Sequence, residues 1–361
     1  MPSMFSQFPI FFVGVMIRGA SASQENSLLL DAFDLSVLSN TSHLDRMRSE
    51  TKFMCGQHLM NDTTSTKIPR YIWIAVKDNA SSFLKWPNIK SEIELNPSWS
   101  VHICDDDAED SFMEKFFPNT SLLSSYRNIN TNIAGASKAD IWRYAVLYVF
   151  GGVYVDSDSQ LTRPLDEVIM PTDDMIVAFE KNRFDGDWCY NPHSEFSSKS
   201  IITKYPFADK IGFFKGRIIT NWCIMTAPRH LFLGSALRNF VKLSKVEFLH
   251  LSNLKISLWD PFSKYVYCST GPYMLTTSAR KAIIEGLHNN GSFNSLGPPI
   301  ESTLPDGDGK EISSYRLASK DFGHEGGVFK AIRNTKSDAN HYTQIFPTKV
   351  SLVRNLLTIT K

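Results

Sequence analysis

Asp156 and Asp158, separated by one serine in "VYVDSDSQ", are the pair of side chains in this sequence best placed to do chemistry. Alternate residues of an extended strand share a face, so the two carboxylates would stand side by side. Like charges that close repel unless a cation lies between them. The nearest basic residue along the chain is Arg163. The pair therefore sits either in open solvent at a turn or against a metal ion. A hard divalent cation such as Mn²⁺ or Mg²⁺ takes carboxylate oxygens and keeps coordination positions for phosphate oxygens. So held, it offsets the charge that builds on a departing diphosphate, which is the chemistry of nucleotide-diphosphate handling.

The elements that would aim this pair can be read around it. In "SKADIWRYAVLYVFGG" Ser137 has the form of an N-cap, with Asp140 three residues on completing a capping box. The pattern predicts a helix from Lys138 to about Phe150, stopped by a left-handed C-cap at Gly151-Gly152. "VYVDSD" then alternates, with Val153 and Val155 on one face and Tyr154, Asp156 and Asp158 on the other. Both carboxylates thus fall at the carboxyl end of a strand, where open α/β sheets bind ligands. Asp140 and Arg143 lie one helical turn apart upstream. Other acidic runs, Asp105 to Asp107 and Asp173-Asp174, show that acidity alone does not single out 156–158.

Further strands are expected at Ile68 to Val76, in "SWSVHICDDD", at Met175 to Glu180 and at Ile218 to Pro228. Helices are expected at Ser81 to Leu95, Ala108 to Phe117, Ser121 to Tyr126, His230 to Val246 and about Leu275 to Leu287. Residues 24 to 66 read as a stem or helical cap, and Gly291 to Gly309 as a long surface loop. The alternation predicts an α/β fold with a mostly parallel sheet between helices.

The 361 residues are enough for one large domain or two, and 38 Lys+Arg balance 37 Asp+Glu. That balance excludes a nucleic-acid or anionic-membrane partner held by bulk electrostatics. An apolar run from Phe8 to Ile17 followed by small residues has the form of a signal-peptide core, favoured over a short anchor, with a buried N-terminal segment as the plain alternative. Sequons at Asn40, Asn61, Asn79, Asn119 and Asn290 point the same way, to the secretory route. Five cysteines permit at most two disulfides and one thiol left over, and none is spaced for a zinc site.

"ADIWRYAVLYVFGGVYVDSD" resembles the DXD sugar-binding region of family 32 glycosyltransferases. These include fungal α-1,6-mannosyltransferases that initiate N-glycan outer chains, mannosyltransferases acting on inositol phosphoceramide, and animal galactosyl- and N-acetylglucosaminyltransferases; the glucosylating clostridial toxins share the pattern. "IPRYIWIAV", "NPSWSVHICDDD", "NWCIMTAPRH" and "STGPYMLTTSA" resemble flanking segments. The resemblance implies a GT-A-like, Rossmann-related fold with a mixed, mostly parallel sheet flanked by helices and irregular C-terminal segments. It divides the chain into 1–23 (signal or anchor), 24–66 (stem or cap) and 67–361 (catalytic domain).

It further implies a nucleotide-sugar donor, Mn²⁺ or Mg²⁺, and retention of anomeric configuration. Asp156 and Asp158 fall on the metal pair, and Asp140 and Arg143 on donor-sugar contacts, where a helix cap and a surface ion pair are the plain readings. Trp73 falls on a base-stacking position and reads equally well as a core tryptophan. His341 matches a metal or diphosphate histidine without the Gly-Ser-Trp that should follow it; His324 competes, and either is as readily structural.

Three functions follow. The first is a Golgi hexosyltransferase moving mannose from GDP-mannose to a glycan, glycolipid or protein hydroxyl, membrane-associated through its N-terminus or soluble. The second is a UDP-sugar enzyme (galactose, glucose or N-acetylglucosamine), including a secreted toxin-like effector. The third is a decayed nucleotide-sugar-binding scaffold.

Overall fold

The computed structural model describes Cys55 and residues 66–77, 87–129, 131–184, 217–250, 266–290, 301–305, 312–317 and 329–331. Strand β1 (Tyr71–Ala75) is followed by helix α1 (Pro87–Leu95), β2 (Ser100–Cys104), α2 (Asp106–Phe116) and α3 (Ser121–Arg127). Helix α4 (Thr131–Phe150) leads into β3 (Gly152–Val155) and the short β4 (Ser159–Leu161). Next come β5 (Met175–Val177), β6 (Phe179–Phe184), β7 (Arg217–Ile219) and β8 (Cys223–Thr226). Helices α5 (Leu231–His250) and α6 (Pro272–Asn290) precede β9 (Glu301–Pro305), β10 (Ile312–Leu317) and β11 (Phe329–Ala331).

Seven of these strands form one sheet in the order β2-β1-β3-β8-β5-β10-β9. The β1–β2, β1–β3 and β5–β10 pairings are parallel; β8 runs antiparallel to β3 and β5, and β9 to β10. Most strands therefore run one way, and the result is the mixed, mostly parallel sheet between helices that a GT-A-like fold calls for.

Strand alternation splits the core in two. Trp73, Tyr154, Met175 and Val177 face a large aromatic cluster built with α2 to α6. Ile72, Ile74, Val101, Ile103, Val153 and Val155 face the opposite side, packed with Ile89 of α1 and with Leu165 and Val168. The face carrying Tyr154 is the one α4 covers, so a residue continuing it past Val155 meets side chains of α4.

Several sequence expectations need correcting. Ser137 is no N-cap: α4 begins at Thr131, and the Ser137 hydroxyl lies inside it, 3.1 Å from the Thr270 hydroxyl. The helix runs on through Ala134, Gly135 and Ala136, upstream of the point where local capping chemistry would have started it. The run from Ile218 to Pro228 is two strands broken at residues 220–222, and Met175 to Glu180 likewise divides between β5 and β6. The segment read as a loop from Gly291 to Gly309 contains β9, an edge strand paired with β10.

Cys55 is disulfide-bonded to Cys104 at the end of β2. Cys268 is also disulfide-bonded, and Cys223 is the buried free thiol among the described residues. Among the described residues no helix is long and apolar enough to cross a membrane.

The Gly151-Gly152 expectation holds, with φ of +69° and +101°. A Cβ on Gly152 would lie 2.6 Å from the Tyr71 carbonyl oxygen and 2.9 Å from Tyr71 Cβ, so β3 can approach β1 only without a side chain there. Gly152→Ala adds a left-handed penalty of about 1–2 kcal/mol to an overpacking cost of about 1–3 kcal/mol. A drop in unfolding free energy of about 2–5 kcal/mol is expected in urea titration; a loss below about 1 kcal/mol would show that β3 shifts freely.

Candidate active site

The carboxyl ends of β1, β2 and β3 share one edge of the sheet. Asp156 follows β3 there, with its N–H donating to the Trp222 carbonyl at 2.9 Å. The chain then leaves the strand. The Ser159 N–H donates to the Asp156 carbonyl at 2.9 Å, so residues 156–159 form a turn into β4. The two aspartates are thus neighbours across a turn, not alternate residues of an extended strand. Asp158 is exposed at its tip, and the Asp156 side chain is 31% exposed.

The cation absent from the local sequence comes from α4. Arg143 Nη2 lies 3.2 Å from Asp156 Oδ1 and 3.2 Å from Asp140 Oδ1, with its side chain 7% exposed. Its Nη1 donates to the Asn221 carbonyl at 2.6 Å, and its guanidinium lies 4.4 Å from the centre of the Tyr154 ring. Burial alone disfavours the cation, but the Asp156 and Asp140 carboxylates outweigh that and its pKa rises. Arg143 therefore stays charged.

Asp140 is held from both sides. Asn221 Nδ2 donates to its Oδ1 at 2.8 Å, and the Thr270 hydroxyl to its Oδ2 at 2.9 Å. Burial pushes its pKa up to about 6, against the pull of Arg143 and these two hydrogen bonds. Tyr154 OH donates to Asp156 Oδ1 at 2.8 Å, and burial keeps that phenol protonated. One oxygen of Asp156 is thereby committed to Arg143 and Tyr154. Asp140, Arg143 and Asp156 converge as one network, which a helix cap or a surface ion pair does not describe.

The other sequence candidates separate from this network. Trp73 is fully buried, stacks on His102 at 4.5 Å and donates its indole N–H to the Gly151 carbonyl at 2.8 Å. It takes the core reading, since a stacked base needs an open ring face. His324 and His341 lie outside the described residues. The competing acidic runs have structural duties: Asp105 caps α2, Asp174 pairs with Lys67 at 2.8 Å, and Asp173 accepts the Met170 N–H at 2.8 Å.

Asn221, Thr270 and Tyr154 were not singled out from sequence. Tyr154 was legible, standing two residues before Asp156 on the same face. Asn221 is visible only once the strand is known to break there, and Thr270 only through tertiary structure.

Beneath the turn, Glu92 of α1 is 1% exposed; the Leu161 N–H donates to its carboxyl group, and its Oε2 has no hydrogen-bond partner. Burial raises its pKa from 4.5 to about 8, only partly opposed by the Leu161 bond. The folded state thus holds a proton that the unfolded state releases between pH 4.5 and about 8, so stability falls as pH rises through that window. Glu92→Gln should remove this fall, a difference of roughly 4 kcal/mol across the window. His102, lowered to about 4 by burial, contributes the opposite slope at acid pH but equally in both proteins. Urea unfolding at several pH values should show the two stabilities diverging; parallel curves would mean that Glu92 is not the group responsible.

Can these residues hold a divalent metal? The donors are hard carboxylates that reach solvent beside an open sheet edge, which suits Mn²⁺ or Mg²⁺. Among the described residues no three His, Cys, Asp or Glu are grouped to enclose one. The pair therefore fits an ion whose remaining positions are filled by ligand oxygens and water.

Resemblance to known proteins centres on this stretch of the chain. Residues 85–175, containing Asp140, Arg143, Asp156 and Asp158, match the family model described as "Glycosyltransferase sugar-binding region containing DXD motif". Among individual proteins, the chain is 31% identical over 113 residues to inositol phosphoceramide mannosyltransferase 3 of Schizosaccharomyces pombe, covering 31% of this chain and 30% of that protein. It is 28% identical over 126 residues to the initiation-specific alpha-1,6-mannosyltransferase of Candida albicans, covering 33% and 31%. The aligned stretch thus spans less than a third of either relative. The solved PaToxG glycosyltransferase aligns at 17% identity and TM-score 0.36 over 62% of this chain and 72% of that one.

Proposed function

We propose that this protein is a metal-dependent, retaining hexosyltransferase of the secretory pathway, moving mannose from GDP-mannose to a glycan or glycolipid hydroxyl. The observation that carries the reading is the convergence of Asp140, Arg143 and Asp156 from two elements at the carboxyl edge of the sheet, beside the exposed Asp158. The choice of mannose is supported by the relatives, which are mannosyltransferases by name. The Cys55–Cys104 disulfide suits an oxidising lumen, and Asn119 is an exposed sequon asparagine.

Asp158, with the second oxygen of Asp156, would hold Mn²⁺ or Mg²⁺. Bound there, the ion would supply Lewis-acid neutralisation of the leaving diphosphate. The protein's own share is electrostatic and positional. Arg143 is a preorganised, low-solvent cation at the site where negative charge develops, and it cannot lose its proton. Asp140, fixed by Asn221 and Thr270, keeps the guanidinium from swinging away. Tyr154 holds Asp156 Oδ1, so that carboxylate meets its ligand in one orientation. Among the described residues none is placed as a covalent nucleophile, which favours attack by the acceptor hydroxyl on the face the diphosphate leaves.

The test is donor hydrolysis by the full chain with Mn²⁺, offering GDP-mannose, UDP-glucose, UDP-galactose and UDP-N-acetylglucosamine separately, and identifying the released anomer by NMR. Turnover of GDP-mannose with release of the α-anomer is expected. Turnover of a UDP-sugar instead would move the assignment to the second function, and nucleotide binding without turnover of any donor would leave the scaffold.

A further inference from the structure

The backbone of the aspartate turn is closed by Ser159 N–H donating to the Asp156 carbonyl and anchored by Asp156 N–H donating to the Trp222 carbonyl. Arg143 and Tyr154 hold the Asp156 carboxylate and β11 pairs with β4 downstream, and a further set of bonds reaches the turn from one face of α1. Asn88 Nδ2 donates to the Ser157 carbonyl at 2.6 Å and to the Ser159 carbonyl at 3.0 Å. A primary amide nitrogen carries two hydrogens, so one side chain makes both bonds at once. Ser91, one turn on, accepts from Gln160 Nε2 at 3.1 Å, and the Glu92 carboxyl group takes the Leu161 N–H. Positions 88, 91 and 92 fall on one helix face, and together they hold the chain from 157 to 161.

Asn88 is buried although asparagine is mostly a surface residue, and it adds little to helix propensity. The two carbonyls it holds belong to the residues on either side of Asp158. We infer that Asn88 is the positioning residue of the Asp156-Ser157-Asp158 turn, setting where the Asp158 carboxylate is presented to a divalent cation and a nucleoside diphosphate. The inference rests on the proposed function for what Asp158 binds. The clamp itself rests on the hydrogen bonds alone.

A control for general destabilisation comes from the same helix region. Asn96 is also buried; its Oδ1 accepts the Leu165 N–H at 2.8 Å and its Nδ2 donates to the Glu92 carbonyl at 3.0 Å, with no bond to the turn. Full-length wild type, Asn88→Ala and Asn96→Ala are compared in two ways. Amide hydrogen exchange at Ser159 and Leu161 is followed without metal, and MnCl₂ is titrated with GDP and, separately, with UDP.

Asn88→Ala should speed exchange at these amides and weaken Mn²⁺–nucleotide affinity by about 10- to 100-fold, the usual range for groups that orient metal ligands. Asn96→Ala should lower the melting temperature yet leave the turn's exchange and the affinity within about twofold. Wild-type affinity in Asn88→Ala, or equal weakening in both variants, would overturn the positioning role. If wild type binds neither nucleotide, the proposed function fails. The exchange data then decide the clamp separately: faster exchange in Asn88→Ala alone upholds it, and unchanged exchange overturns it too.

Discussion

Arg143→Ala is expected to cost about 3–5 kcal/mol of stability and to abolish donor turnover, because it leaves buried carboxylates without their cation. Asp140 and Asp156 both lie 3.2 Å from Arg143 Nη2, and the other hydrogen-bond partners of Asp140 among the described residues, Asn221 and Thr270, are neutral donors. Their repulsion, damped now by the guanidinium, would push the Asp140 pKa above its present value of about 6. Arg143→Lys keeps the charge but not the planar fork that reaches the Asn221 carbonyl and both carboxylates. It should recover part of the stability and little of the turnover. Urea unfolding and Mn²⁺-dependent donor hydrolysis measure the two effects. A stability loss below about 1 kcal/mol would mean that the network is not what holds this edge of the sheet.

Asp158→Ala should separate the two quantities in the opposite sense. The side chain is exposed at a turn, so removing it should change stability by no more than about 1 kcal/mol, the range of exposed polar and ionic contacts. As a proposed metal ligand, its loss should lower donor turnover by about 10²–10³-fold, roughly 3–4 kcal/mol of transition-state stabilisation. Asp156→Asn should do both, since Asp156 pairs with Arg143 and Tyr154 as well as facing solvent. Unfolding curves and turnover for the two variants, taken together, distinguish a catalytic carboxylate from a structural one. Full activity in Asp158→Ala would remove it from the site.

Much of this site was legible in the sequence because it rests on local periodicity. Gly151 and Gly152 had to end the helix, and alternation through Val153, Tyr154 and Val155 had to turn Asp156 toward the helical layer. What local pattern could not show was the cation. Arg143 is thirteen residues from Asp156, and only the packing of α4 against the β3 face brings them together. The same blindness produced the false N-cap at Ser137, whose hydroxyl faces Thr270 across the core. The break at Asn221 was hidden in an apolar run, because β-propensity does not report where a strand must bend to let a backbone carbonyl meet a guanidinium. Trp73 illustrates the reverse error. An aromatic on a strand near a binding edge suits a ligand or a core equally well in sequence, and its 0% exposure decides for the core.

The proposed function requires the 156–158 turn to hold a divalent cation together with a nucleoside diphosphate. Calorimetric titration of GDP and UDP into the full-length protein, with Mn²⁺ and again with EDTA, tests it most directly, beside Asp158→Ala. One of the nucleotides should bind only when Mn²⁺ is present, and Asp158→Ala should abolish that binding while the protein remains folded. Binding of equal strength in EDTA, or undiminished in Asp158→Ala, would contradict it.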